Sequence, residues 1–216
     1  MKKNILLFLM SLLFFMAGDA QAQEWCSEVP FCYEDNYCVN AENFYAKILG
    51  GANFLQNTSI DGNKSTYETG YIVAGSLGYS WHYGVRLEAE YAFRRNAISK
   101  INFVGEGSSR QGYFQTSSCM ANLLWDLPSS LVRYPCLSPY IGAGIGYDFQ
   151  QMHSSNSRVI FNQKWNHFAW QLMAGLAYPI FCNTEVTLEY KFHQGGSDFN
   201  NHSVGVGLVH KFNLLW

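Results

Sequence analysis

Ten charged residues could carry chemistry together: Lys47, Arg86, Glu88, Glu90, Arg94, Asp148, Glu185, Glu189, Lys191 and Lys211. Acids and bases are equal in number, which suits a mutually paired network or a pathway for ions. A second candidate set is the six cysteines, Cys26, Cys32, Cys38, Cys119, Cys136 and Cys182. The first three follow C-x5-C-x5-C, which lacks the C-x2-C pairs of a structural zinc site and has no histidine close by, so no metal is expected. A third is His153 and Ser155, an H-x-S pair with a base and a nucleophile. Hydrolysis would also need an acid to orient the imidazole, and none occurs between Asp148 and Glu185; His202-Ser203 has no partner either. No catalytic residue and no cofactor is assigned. Asn57, Asn63 and Asn201 begin N-x-S/T tripeptides, which read as ordinary polar sequence.

The element that must position the charges is clearest at residues 85–94, VRLEAEYAFR. Val85, Leu87, Ala89, Tyr91 and Phe93 fall on one side, and Arg86, Glu88, Glu90 and Arg94 on the other. Strict alternation is the side-chain period of a strand, and a helix would scatter these residues around its circumference. What remains open is whether the apolar side meets a core or meets lipid.

Composition narrows the choice. Of 216 residues only 14% are charged, 17% are aromatic and 19 are glycine, a mix that favours strands over helices. The formal net charge is -2, with no basic run, so nucleic acid is not an expected partner. Residues 1–22 form their own unit: Lys2 and Lys3, an apolar run from Ile5 to Ala17, then Ala20-Gln21-Ala22. That is the pattern of a secretory signal peptide, its apolar run of about thirteen residues falling short of the roughly 20 of a spanning helix. All six cysteines then lie in the exported chain, where disulfides are the first expectation. Residues 23–42 are a cysteine-rich segment preceding the first strand.

Seven further alternations follow or precede the first. They run over 44–54, 71–81, 113–125, 140–149, 167–178, 184–193 and 202–216. Between them, residues 56–68, 95–111, 150–166 and 194–201 are polar and read as loops, whereas 82–84 and 179–183 read as short turns. Eight strands of about ten to thirteen residues match the length needed for tilted strands to cross a bilayer. A soluble lipocalin-like barrel would also have eight alternating strands, with its apolar face inside. Two features favour lipid. Aromatics gather at the strand ends of the apolar face, with Phe54, Tyr71, Phe93, Tyr113, Phe149 and Trp170 towards one rim and Trp81, Trp125, Tyr178, Phe212 and Trp216 towards the other. Long and short connections also tend to alternate, as they do where one side of the membrane carries loops and the other turns.

On these residues the chain resembles the small eight-stranded outer-membrane β-barrels, the OmpA/OmpX-like and surface-antigen superfamily. The resemblance spans the chain after Glu42 and rests on RLEAEYAFR, MANLLWDL, SPYIGAGIGYDF, FAWQLMAGLAYPI and the terminal strand. It implies an all-β, eight-stranded antiparallel up-and-down transmembrane barrel over residues 43–216, in the bacterial outer membrane with both termini periplasmic. The ending with Phe212, Leu214 and Trp216 resembles the signal read by the barrel-assembly machinery, although His210 stands where an apolar residue is usual. No peptidoglycan-binding domain is expected after the eighth strand.

The resemblance implies a structural or surface-interaction role, adhesin- or antigen-like, exercised through the extracellular loops. Expected partners are outer-membrane lipid, a host surface, or envelope proteins linked by disulfide. A narrow pore is the alternative. Lipid A hydrolases and palmitoyl transferases exist on this fold, but the H-x-S pair lacks the acid such a site needs. An eight-stranded barrel leaves an interior about wide enough for side chains alone, which favours a plug of paired charges. Cys26, Cys32, Cys38, Cys136 and Cys182 are expected at the periplasmic rim and Cys119 within a strand, their pairing left open.

Overall fold

The alternating stretches all become strands, and several continue well past the apolar residues that announce them. The computed structural model describes residues 43–56, 58–60, 63–81, 83–103, 106–109, 112–127, 137–156, 159–181, 183–196 and 199–212. The expected signal peptide, the segment 23–42, Cys26, Cys32, Cys38, Cys136, Cys182, Leu214 and Trp216 lie outside these residues.

Eight long strands form the wall: β1 (Asn43–Leu55), β4 (Gly70–Ser80), β5 (Val85–Phe103), β7 (Gly112–Asp126), β8 (Ser138–Asn156), β9 (Val159–Phe181), β10 (Thr184–Gly195) and β11 (Phe199–Phe212). Each pairs antiparallel with the next, and β11 closes on β1, so no wall edge is left unpaired. Closure satisfies every ladder along the wall, which is the condition for strands to cross a hydrocarbon layer. At the end away from Asn43 and Phe212, three short strands extend the sheet: β2 (Thr58–Ile60), β3 (Asn63–Tyr67) and β6 (Glu106–Ser109). The β2–β3 hairpin pairs onto β5, as does β6.

The faces are inside-out relative to a soluble barrel. Outward residues are apolar and exposed, among them Ile48 at 65%, Leu77 at 69%, Leu123 at 57% and Ile145 at 60%. Inward residues are mainly polar and buried, with two small apolar clusters, Leu49 with Ile72, Ala74 and Ala92, and Leu124 with Tyr140, Met173 and Ala177. A soluble barrel with this surface would expose a continuous apolar belt to water, far beyond what a monomer tolerates. Facing lipid, the same belt needs no cover.

Four connections read as polar loops are largely strand. Residues 56–68 carry β2 and β3; 95–111 carry the end of β5 and β6; 150–166 carry the ends of β8 and β9; and 194–201 hold a tight connection between β10 and β11. Ladder hydrogen bonds join backbones and are indifferent to side-chain polarity, so a polar strand continues wherever its partner does. The β-branched and aromatic residues Ile98, Ile101, Phe103, Val159, Ile160 and Phe161 also favour it. Long and short connections therefore do not simply alternate. At the opposite end the turn at 82–84 is as expected, with Trp81 N–H donating to the Val85 carbonyl at 2.9 Å and Gly84 N–H to Trp81 at 3.1 Å, whereas the turn expected at 179–183 is shorter, because β9 stays paired with β10 as far as Phe181. Gly84 there has φ +78°, a conformation favouring glycine.

Candidate functional site: the charged barrel interior

Side-chain period two places Lys47, Glu88, Glu90, Glu189 and Lys191 on the inward faces of β1, β5 and β10, and the register brings them together. Lys47 Nζ donates to Glu88 at 2.9 Å and to Glu189 at 3.2 Å. Lys191 bridges Glu189 at 3.0 Å and also pairs with Glu90. Two ammonium groups thus serve three carboxylates in an unbroken chain from Glu88 to Glu90. Each of the five is at most 3% exposed. Ions in such a place are tolerable only when their remaining lone pairs are also met. Tyr45 donates its hydroxyl to Glu88 at 3.1 Å, and Tyr140 donates to Glu189 at 2.6 Å. Gln171 donates to Glu90 at 3.2 Å and to Asn122 at 2.8 Å.

Two glycines make room for the tyrosines. A Cβ at Gly78 would lie 2.3 Å from the Tyr45 ring, and one at Gly175 would lie 2.4 Å from the Tyr140 ring. Sequence reading treats such glycines simply as small inward residues, and only the register reveals the ring beside each.

The other candidate charges form separate groups. Arg94 donates to Ser118 at 2.7 Å, and Asp148 meets His193 at 2.9 Å, all on the far side of the central chain from Asn43. His193 also lies 3.3 Å from Gln171, which ties this upper group to Glu90. Beyond it, Asn53 donates to Asn96 at 2.6 Å and Asn201 at 3.1 Å, and accepts from Ser203 at 2.7 Å. Towards the chain ends, Arg86 pairs with Asp126 at 2.5 Å and lies 4.7 Å from the Tyr140 ring centroid. Lys211 pairs with Glu185 at the rim, partly exposed and apart from the others.

Asp126 and His193 are the partners that charge counting overlooks. Both share the parity of inward residues on their own strands, His193 with Glu189 and Lys191, and Asp126 with Asn122. The signal was present, but both stand at strand ends, where a side chain's face is hardest to read. Tyr45, Tyr140, Asn122 and Gln171 were legible as inward positions, though not as ligands of particular carboxylates.

The remaining candidates are dispersed. Cys119 is a free, exposed thiol on the outward face, in register with Tyr91 and Tyr147. His153 and Ser155 lie within the strand β8 rather than in a loop. His202 and Ser203 take opposite faces: Ser203 binds Asn53 inside, while His202 meets Tyr190 at 2.6 Å and Gln56 at 2.7 Å outside. They do not act on a common substrate. Asn201 is 2% exposed, so its N-x-S tripeptide is no glycan acceptor. Of the expected assembly signal, Phe212 is outward and exposed, and the neighbouring His210 accepts or donates a 2.9 Å bond with Thr184. Among the described residues no group of three or more histidine, cysteine or carboxylate side chains is placed to hold a metal ion.

Comparison with known proteins agrees with this architecture. An outer membrane protein of Gluconacetobacter diazotrophicus is 24% identical over 192 residues, covering 76% of this chain and 50% of that protein. The chain thus spans about half the length of that curated relative. Among solved structures, Neisserial surface protein A superposes with a TM-score of 0.57 at 15% identity, over 78% of this chain and 97% of that one. OprG from Pseudomonas aeruginosa gives 0.52 at 13% identity, over 81% and 99%. Ail, the attachment invasion locus protein of Yersinia pestis, solved with the heparin analogue sucrose octasulfate, gives 0.51 at 15%, over 80% and 100%. At these identities the likeness is one of fold. The family described as outer membrane protein beta-barrel domain matches residues 9–212. With a closed eight-stranded wall, an apolar exterior and a charged interior, the chain belongs to the outer membrane protein β-barrel family and sits in the lipid of the bacterial outer membrane.

Proposed function

We propose that the protein is a sealed, non-enzymatic barrel that displays β-ribbons at the cell surface and acts there as a structural or surface-interaction protein. The observation that carries this reading is the interior. Lys47, Glu88, Glu90, Glu189 and Lys191 are buried against one another, and Asn122, Gln171, His193 and Asn53 continue the filling, each at 0% exposure. A water-filled pathway would leave such groups wet, so their burial supports a plug over a pore. With the interior occupied, function passes to what projects.

The projecting parts are the far ends of β5, β8 and β9 with β2, β3 and β6. Both termini then lie in the periplasm, residues 1–22 act as the export signal, and residues 23–42 remain as a cysteine-rich periplasmic segment. Phe212, Leu214 and Trp216 would be read by the assembly machinery, and the cysteines of the segment would bond within it or to neighbouring envelope proteins. The heparin analogue bound by Ail supports attachment as the kind of work such ribbons do.

A ribbon deletion tests this. Met152 pairs with Gln163, so replacing residues 153–162 by Asn-Gly keeps the register and closes the hairpin tightly. Cells displaying the shortened protein should keep a heat-modifiable barrel on gels and lose most of their attachment to a host-cell layer. Unchanged attachment with the barrel intact would contradict the surface role of this ribbon.

A further inference from the structure

β9 outlasts one of its two neighbours. β8 pairs with it from Val159 to Ala177, but β10 accompanies it only from Phe181 to Ala169. Gly196 N–H donates to the Phe168 carbonyl at 3.4 Å, and there, with φ +71°, the chain turns back towards β11. Residues 159–167 are therefore joined to the sheet on one side and open on the other. Among the described residues no strand pairs with them on the open side. The upper parts of the neighbouring strands are covered. β7 flanks β8 as far as Ser154, and β5 has β3 on one side and β7 followed by β6 on the other.

Open edges are normally blunted by proline, by charge, by a bulge or by brevity. Residues 159–167, VIFNQKWNH, hold no proline, no glycine and a single Lys or Arg, Lys164. Val159, Ile160, Phe161 and Trp165 favour extended backbone. The segment runs opposite β8 with no shift of register, whereas β3 and β6 each show one against β5. β2 and β6, at the margins of the other ribbon, are three and four residues long. Residues 159–167 present about 30 Å of edge, the longest open one among the described residues. Along β9 itself, the outward run of Tyr178, Leu176, Ala174, Leu172, Trp170 and Phe168 gives way to Asn166, so the open edge begins where the strand leaves the apolar belt.

We propose that residues 159–167 of β9 are a strand-addition site, which takes an extended segment of a partner polypeptide as one more antiparallel strand. An open edge is a row of backbone N–H and C=O groups repeating every two residues, about 7 Å. An anion meets only the donors and leaves the carbonyls unmatched. An extended polypeptide offers donors and acceptors at the same repeat. The added strand continues the line of β10 beyond Gly196, and like β10 it runs antiparallel to β9, the more stable pairing. The site rests on the reading of the ribbons as surface-interaction elements and names backbone pairing as their means.

The test uses the full chain folded into phosphatidylcholine nanodiscs, with a heat-modifiable gel band to verify the barrel. A phage-displayed library of random peptides of about twelve residues is the probe. A recovered peptide is then resynthesised with N-methyl groups on alternate residues, in one phase and in the other. Each phase removes the donors from one edge of the peptide strand only. One phase should weaken binding about tenfold or more, and the other should change it less than about twofold. The unmodified peptide should slow hydrogen exchange of amides within 159–167 and leave those of β10 unchanged. No recovered peptide, equal effects of the two phases, or slowed exchange confined to other segments would each overturn strand addition. Attachment that depends on the ribbon while these amides gain no protection would reject the edge and leave the surface role standing.

Discussion

Replacing Lys47 by methionine should lower the unfolding free energy of the vesicle-folded barrel by about 3 to 5 kcal/mol. Lys47 lies between Glu88 at 2.9 Å and Glu189 at 3.2 Å, and its removal leaves three buried carboxylates to share Lys191. Bulk solvent does not reach the abandoned Glu88, whose side chain is 0% exposed. Tyr45 and Asn122 each bring a donor to Glu88, but neither brings a charge. The size of the loss therefore reports how closed the interior is, since an open lumen would hydrate the stranded acid and blunt the effect. Adding Glu88→Gln removes the stranded charge while keeping an acceptor for Tyr45. The double variant should recover a large part of the loss, a coupling that a denaturant titration of the four-protein cycle would measure. Simple additivity would mean that the two groups do not depend on one another.

Leu87→Arg tests the opposite face. Leu87 is outward, 50% exposed, and in register with Tyr79 on β4 and Leu123 on β7. A charge on the lipid side near mid-membrane costs about 2 to 4 kcal/mol, and less towards the interfaces. The same substitution at Ala97, one row beyond Arg95 on the same face of β5, should be nearly neutral. Equal losses at 87 and 97 in refolding titrations would mean that the apolar belt is misplaced along the strand.

Residues 85–94 show how far sequence reasoning reaches. Their alternation alone separates Arg86, Glu88, Glu90 and Arg94 from Leu87, Ala89, Tyr91 and Phe93, because side-chain period is a local property of one strand. Partner choice is not local. Glu88 meets Lys47 from 41 residues earlier, and Glu90 meets Lys191 from 101 residues later, through the stagger of strands around a closed wall. A list of inward charges therefore could not reveal that Arg86 turns to Asp126 or that Asp148 takes His193. Nor could parity show that Leu49, Ile72 and Ala92 would meet in an apolar pocket inside, where volume must be filled wherever ions are not paired.

The ribbons illustrate a different limit. Polarity suggests where a strand leaves the membrane, but it does not show where a strand leaves the sheet, and residues 56–68, 95–111 and 150–166, polar enough to read as loops, stay largely within it. Backbone pairing continues in β8 as far as Asn156 and resumes in β9 at Val159 because both partners remain extended. The open edge at 159–167 stands where these two signals part, with strand geometry continuing after the apolar belt has ended.

Planar-bilayer recording of the full chain tests the central claim of a sealed, ion-paired interior most directly. The arrangement of Lys47, Glu88, Glu90, Glu189 and Lys191 predicts no steady unitary conductance from the native chain. Regular openings whose ion selectivity changes on Glu88→Gln would contradict it and make the interior a pathway.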